Sequence, residues 1–274
     1  MAKIDKSKYS KHQIKELRRQ KAERKLKKLS ANLIKNNADT YNVLVLKHGQ
    51  KYSAEYVNKM YRMVAKHCTL PFNFYCLTED IAGLDRNINV IPLPADIAVN
   101  GWWYKPYIFS KDLPIDGVIL YIDLDMVIVN NIDRLFTHMP NASCVLRDFT
   151  RCMRPNWEKY NSSLIRYKKG EYLRLWEEFK KDSAYIMRRH FGDQDFLWER
   201  TKGDFSLWPD NWIRSWKWEI RQSKRFRPGG SRGNRVLDTI EDCVAPPDCC
   251  IVAFHGDPNQ HNCEDPFIVD NWHK

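Results

Sequence analysis

Residues Val118-Ile-Leu-Tyr-Ile122 are apolar at every position, and the run stops on Asp123-Leu-Asp125. Successive side chains of a strand point to opposite faces. A strand with no polar position must therefore be covered on both sides, as a central strand of a largely parallel sheet is. Two carboxylates at the end of such a strand are costly unless something compensates them. The segment thus predicts an α/β chain and, at the same place, a site.

The flanking sequence alternates in the same sense. Tyr41 to Leu46 reads as a short apolar strand, and Ser53 as the N-cap of a helix whose inner face carries Val57, Met60, Tyr61, Val64 and Cys68. Phe72 to Leu77 and Asn89 to Pro92 read as strands. Trp102 to Lys111 reads as a helix, with Pro106 tolerated only in its first turn. Short strands follow near Cys144 and Leu164, helices near 171–180 and from Asp193, and a last strand over Ile251 to Phe254. Strands alternating with helices imply a mostly parallel central sheet flanked by helices, whose ligands bind beyond the carboxyl ends of the strands.

Charge divides the chain further. Its 274 residues carry 45 Lys+Arg against 34 Asp+Glu, a formal net charge of +11. Residues 1–35 hold 13 of the bases and 3 of the acids, so the rest nets +1. Ser10 and Gln13 suit a capping box, and Ile14, Leu17, Leu26, Leu29 and Leu33 recur at helical spacing. The expected organisation is a basic helical leader over 1–36 and a catalytic domain over 37–274. A second basic cluster at 214–235 nets +7, and Gly229, Gly230 and Gly233 mark it as a flexible loop. The remaining body nets −6.

Several classes drop out. With 43% hydrophobic and 13% aromatic residues, the chain is no disordered polyelectrolyte. No apolar run is long enough to span a bilayer, and the charged N-terminus lacks the core of a secretory signal. The 8 cysteines include no Cys-x-x-Cys, and Cys243, Cys249, Cys250 and Cys263 match no common zinc spacing. Reduced thiols and a cytoplasmic location are expected, peripheral to a polyanionic surface through the basic segments.

The chemistry is read from strand ends. Asp123 and Asp125 stand at positions i and i+2, which puts two hard oxygen ligands on one side, suited to Mg²⁺ or Mn²⁺ and completed by diphosphate oxygens. His255, after Ile251 to Phe254, offers a nitrogen that favours Mn²⁺, and Gly256 lets backbone approach a phosphate. Among the tryptophans, Trp208, Trp212, Trp216 and Trp218 suggest a stacking platform, with core and lid packing favoured for any one of them. Trp212 and Trp216, with Lys217 and Arg221, are spaced for one helix with an aromatic and a basic face.

Trp102-Trp-Tyr-Lys-Pro106, Leu120-Tyr-Ile-Asp-Leu-Asp125, Asn161-Ser-Ser163, Asp193-Gln-Asp195 and Phe254-His-Gly256 occur in the order found in GT-A glycosyltransferases. The chain most resembles the glycogenin and bacterial lipooligosaccharide galactosyltransferase group, from Tyr41 to Asn262. The resemblance implies a GT-A fold, a nucleotide-sugar donor and a metal held by Asp123, Asp125 and His255, with Asp123 also near the ribose. It puts Lys105 on the donor, Asn161 and Asp193 on the sugar hydroxyls, and Gln194 beneath the anomeric carbon. Residues around Leu46 to Tyr52 would meet the base. It also implies retention of configuration, with Asp195 a general base if the reaction inverts.

The chain departs from the group at Ser162 and Ser163, where Asn-Ala-Gly is usual. The group often has a lysine shortly after His-Gly, where Asp257, Asn259 and Gln260 stand here. The 214–235 segment, through Arg225 or Arg227, is expected to supply the missing charge for the diphosphate. The two cationic segments point to an anionic acceptor, with DNA bearing a modified base favoured over an anionic membrane glycolipid. The rival class is a non-catalytic nucleic-acid-binding protein on a degenerate transferase scaffold.

Overall fold

The structure is a computed structural model that describes residues 40–221, 244–256 and 259–272. The leader 1–36 and the basic residues Arg225 and Arg227 lie outside the described residues, as do Asp257 and Cys243.

The Val118–Ile122 strand is central, as its composition requires. With β1 (Tyr41–Lys47), β2 (Phe72–Thr78) and β3 (Asn89–Pro92), this β4 forms the parallel half of a seven-stranded sheet. β6 (Cys144–Arg147), β7 (Tyr160–Lys168) and β8 (Ser206–Leu207) complete it in the order β3-β2-β1-β4-β7-β6-β8. Leu120 and Ile122 face one apolar core, with Val43 and Val45, while Ile119 and Tyr121 face the other, with Leu44. The sheet thus has a core on each side, as the unbroken apolar run demands.

Helix α1 (Ala54–His67) covers the first face with Val57, Met60, Met63 and Val64. Ser53 occupies the N-cap position, though its side chain makes no capping bond. The second face is covered by a 3₁₀ helix over Gly101–Phe109 and by α3 (Leu173–Lys181), after the short α2 (Asp133–Thr137). Pro106 lies inside the 3₁₀ helix, well past its first turn. α4 (Ser183–Arg189), which sequence reading missed, starts where the Asp182 carboxylate accepts a bond from the Tyr185 N–H at 3.1 Å. α5 (Asp193–Thr201) follows at once.

Two features set the site. β7 runs antiparallel to β4, so its first residues reach the carboxyl end of β4, and the Asp123 N–H donates to the Ser163 carbonyl at 2.8 Å. A second sheet, β5 (Met126–Ile128), β10 (Ile251–Ala253) and β9 (Ile213–Ser215), has the order β5-β10-β9. It aligns the strand end before His255 with the acidic pair, because the Phe254 N–H donates to the Asp125 carbonyl at 2.8 Å. α6 (Pro266–Trp272) packs behind β5.

The 214–235 segment is not a loop throughout. Arg214 lies in β9, and Trp216–Ile220 form a π-turn whose Trp216 is buried in the core. Burial of Ile213 and Trp216 and pairing of β9 with β10 fix this part of the segment, while 222–235, with the three glycines, lie outside the described residues. Consequently Trp212 and Trp216 share no helix face, and Trp208 and Trp216 are core residues.

Candidate active site

Past the carboxyl ends of β1 and β4 lies a cavity of about 300 Å³. Leu46, His48, Lys51 and Tyr52 wall one side, Trp102 and Lys105 another, and Asp123 and Asp125 the floor. Ser162, Ser163, Asp193 and Gln194 close it.

Asp123 is held from both sides. Its Oδ1 accepts from the Tyr121 hydroxyl at 2.5 Å and its Oδ2 from Lys105 Nζ at 3.1 Å. Burial and the neighbouring charge of Asp123 push the Asp125 carboxyl up to about 7, while the Tyr52 hydroxyl donates to its Oδ2 at 3.4 Å. Both burial and the acidic pair raise the Tyr52 phenol.

Lys105 joins the motifs. It is 3% exposed and lies 3.1 Å from Asp123 and 3.2 Å from Asp193. Burial alone would lower an ammonium, yet the two carboxylates overcome it and hold Lys105 above its usual range. Ser162 Oγ lies 3.2 Å from Nζ and donates to Asp193 Oδ2 at 2.7 Å. Asp193 is buried, and desolvation raises its carboxyl despite Lys105. Asp193 opens α5, and in front of it a Cβ on Gly192 would come within 3.4 Å of the Trp102 indole nitrogen. Gln194 spans the wall, donating to Asp148 at 3.1 Å and accepting from the Ser162 N–H at 3.4 Å.

Other expected residues sit apart. The Asn161 side-chain Oδ1 accepts from the Ser163 N–H at 2.8 Å, and Ser162 and Ser163, rather than Asn161, line the cavity. Asp195 pairs at 3.7 Å with Lys159. His255 is clamped between Phe149 and Trp218, with ring centroids at 4.9 and 4.6 Å, and its Nε2 lies 2.7 Å from Ser215 Oγ. Burial, then the charge of Lys217, pushes the imidazole down to about 3, so it is neutral at pH 7. Gly256 has φ of +75°, and a Cβ there would meet Lys217 Nζ at 3.1 Å.

Among the described residues, no three His, Cys, Asp or Glu side chains stand together in a way that could hold a metal ion. Two of the three expected ligands, Asp123 and Asp125, face the cavity, and the third is turned to Ser215. The carboxylate pair fits a divalent cation: the donors are hard oxygens, and the raised Asp125 marks negative charge short of compensation.

Sequence reading missed Asp148, and it named Lys51 only within the stretch from Leu46 to Tyr52. Ser162 was legible only as a departure from the usual motif, and Lys217 was one base among eight in its segment. Asp148 follows β6 as Asp123 follows β4, a strand-end signal that was available.

No protein-family profile matches the chain, and no curated protein matches it in sequence. Solved structures do match. A galactosyltransferase, LgtC, in complex with donor and acceptor sugar analogues aligns over 84% of this chain and 93% of its own, with a TM-score of 0.56 at 12% identity. The bifunctional glycosyltransferase WbbM aligns over 87% of this chain with a TM-score of 0.59 at 11% identity. The fold is GT-A. This chain spans about half the length of WbbM, at 50%, and of a pneumococcal glycosyltransferase, GlyE, at 46%.

Proposed function

We propose that this protein is a metal-dependent glycosyltransferase that moves a sugar from a nucleoside-diphosphate sugar, UDP favoured, to an acceptor hydroxyl with retention of configuration. The observation that carries the reading is Lys105, buried in contact with both Asp123 and Asp193. One ammonium ties the strand-end acidic pair to the Asp193-Gln194 motif at a single cavity. Burying three charges in one network is expensive and is best understood where they meet a charged ligand.

A divalent cation held by Asp123 and Asp125 would stabilise negative charge on the departing diphosphate. Asp193, fixed by Ser162 and Lys105, would orient the sugar hydroxyls, and the Gln194 amide, held by Asp148, would lie beneath the anomeric carbon. The C1–O bond to the phosphate breaks with its electron pair leaving on the phosphoryl oxygen. The acceptor oxygen bonds C1 from the same face, and its proton passes to that phosphoryl oxygen. An amide is a weak nucleophile, so retention here would proceed without a covalent sugar–enzyme intermediate, while Asp195, which would serve as the base of an inverting reaction, is paired with Lys159 at 3.7 Å. Lys51 and Tyr52, which line the cavity, would meet the nucleotide.

The acceptor is read as a hydroxyl only, since the leader 1–36 and residues 222–235, which point to nucleic acid, lie outside the described residues. The test is release of free sugar from a panel of nucleotide sugars with Mn²⁺. Hydrolysis of at least one donor, reduced about 100-fold in Asp125→Asn, is expected. If no donor is hydrolysed and no nucleotide with Mn²⁺ raises the melting temperature, the chain is a binder on a transferase scaffold.

A further inference from the structure

The three residues of the acidic turn are each held through the backbone, from three different elements. The Asp123 N–H donates to the Ser163 carbonyl at 2.8 Å, and the Asp125 carbonyl accepts from the Phe254 N–H at 2.8 Å. Both are bonds between main chains, which the fold supplies whatever the side chains are. The middle residue is held differently. Leu124 is 2% exposed, and its carbonyl accepts from the side-chain Nε2 of Gln260 at 2.7 Å, across 136 positions of sequence.

Gln260 is completely buried and opens a short 3₁₀ turn, Gln260–Asn262. Its Oε1 has no hydrogen-bond partner among the described residues. A core amide with one atom unpaired gains nothing in stability over an apolar side chain of the same length. Methionine would leave the Leu124 carbonyl unpaired in place of Oε1, one buried acceptor for another. What the amide adds is a grip on the peptide between Asp123 and Asp125. The Leu124 carbonyl and the Asp125 N–H share one rigid plane, so turning that peptide would swing the Asp125 side chain. The next residue reaches the same carboxylate from the other side. His261 Nδ1 is hydrogen-bonded to the Tyr56 hydroxyl, the Tyr56 and Tyr52 ring centroids are 4.9 Å apart, and Tyr52 donates to Asp125 Oδ2 at 3.4 Å.

We propose that Gln260 is a positioning residue for the cation: by pinning the Leu124 carbonyl it holds the Asp123 and Asp125 carboxylates as one pair of oxygen ligands. The assignment rests on the metal reading above. Two like charges side by side repel, and a free peptide between them would let them part. A pair already held in place spends no binding energy on being ordered, so a partner that never touches the metal still sets its affinity.

The test is Mn²⁺ binding to the full chain, read from the paramagnetic resonance signal of the free ion, beside thermal unfolding in excess EDTA. Gln260→Met and Gln260→Leu are each expected to bind Mn²⁺ about 10-fold more weakly or worse. Their melting temperatures in EDTA are expected within about 3 °C of wild type, because one unpaired acceptor replaces another. Arg166→Met, whose bonds lie outside the cavity, should lower the melting temperature and leave Mn²⁺ affinity within about 2-fold of wild type. Unchanged Mn²⁺ affinity in either folded Gln260 variant overturns the assignment and leaves the metal reading standing. A loss of affinity that Arg166→Met shares overturns it too, as does a fall in melting temperature as large as in Arg166→Met or failure of both Gln260 variants to fold, because Gln260 is then a structural residue. A wild-type protein that binds no Mn²⁺ overturns the metal reading, and this assignment with it.

Discussion

Replacing Lys105 with methionine keeps most of the side-chain volume and removes the charge. Asp123, at 24% side-chain exposure, can recover water, while Asp193, at 7%, cannot. Removing one partner of a buried pair costs about 3–5 kcal/mol, and the partial exposure of Asp123 places this case near 3. For a chain of this size that is a fall in melting temperature of about 6 °C at pH 8. The sign with pH follows from the carboxyls. Desolvation already raises Asp193 in the presence of Lys105, and without the lysine it rises further. A carboxyl with a raised folded pKa stabilises while protonated and loses that stability as pH rises through its folded value. Lys105→Met should therefore approach wild-type stability near pH 4–5 and fall below it progressively towards pH 8. Thermal unfolding followed by circular dichroism across that range checks it, with Lys105→Met/Asp193→Asn expected to recover most of the loss. A deficit that is constant with pH, or a variant as stable as wild type at pH 8, would refute the reasoning.

Asp125→Asn should raise the metal-free melting temperature at pH 8 by about 2–4 °C, because its carboxyl is pushed up to about 7 and its ionisation there is unfavourable. The same variant should lose its response to Mn²⁺ in that assay. Arg166, which does not line the cavity, donates to the carbonyls of Leu135, Phe136, His138, Met139 and Ala142 at 2.5–2.9 Å. Arg166→Met should cost about 4 kcal/mol or more in denaturant unfolding, by leaving those carbonyls unpaired, with nucleotide affinity of the folded fraction unchanged. Proton NMR of the first-formed product should show the anomeric configuration of the donor, and Gln194→Ala should lower kcat about 10–100-fold with little change in donor KM.

The positions of β1 to β4 and α1 were legible because each depends on local pattern, whereas the short β5 and α2 were not read from the sequence. The β4 run needs two covered faces whatever surrounds it, and α1 shows its inner stripe at helical spacing. Where tertiary pairing governs, local reading failed. β9 is three residues long and lies in a segment rich in charge and glycine, yet β10 and the buried Trp216 fix it as strand and turn.

The same division runs through the site. The sequence by itself determined that carboxylates end a buried strand, since an apolar run and an acidic pair are neighbours in the chain. It also determined that Asp193 and Gln194 open a helix and that a histidine and a glycine follow a late strand. Only the tertiary structure decided which of these meet. The reversed β7 brings Ser162 to the end of β4, a buried lysine on a 3₁₀ helix joins Asp123 to Asp193, and His255 turns to Ser215. A buried charge is stable only where partners from distant segments converge on it, and such convergence leaves no periodic trace in the sequence.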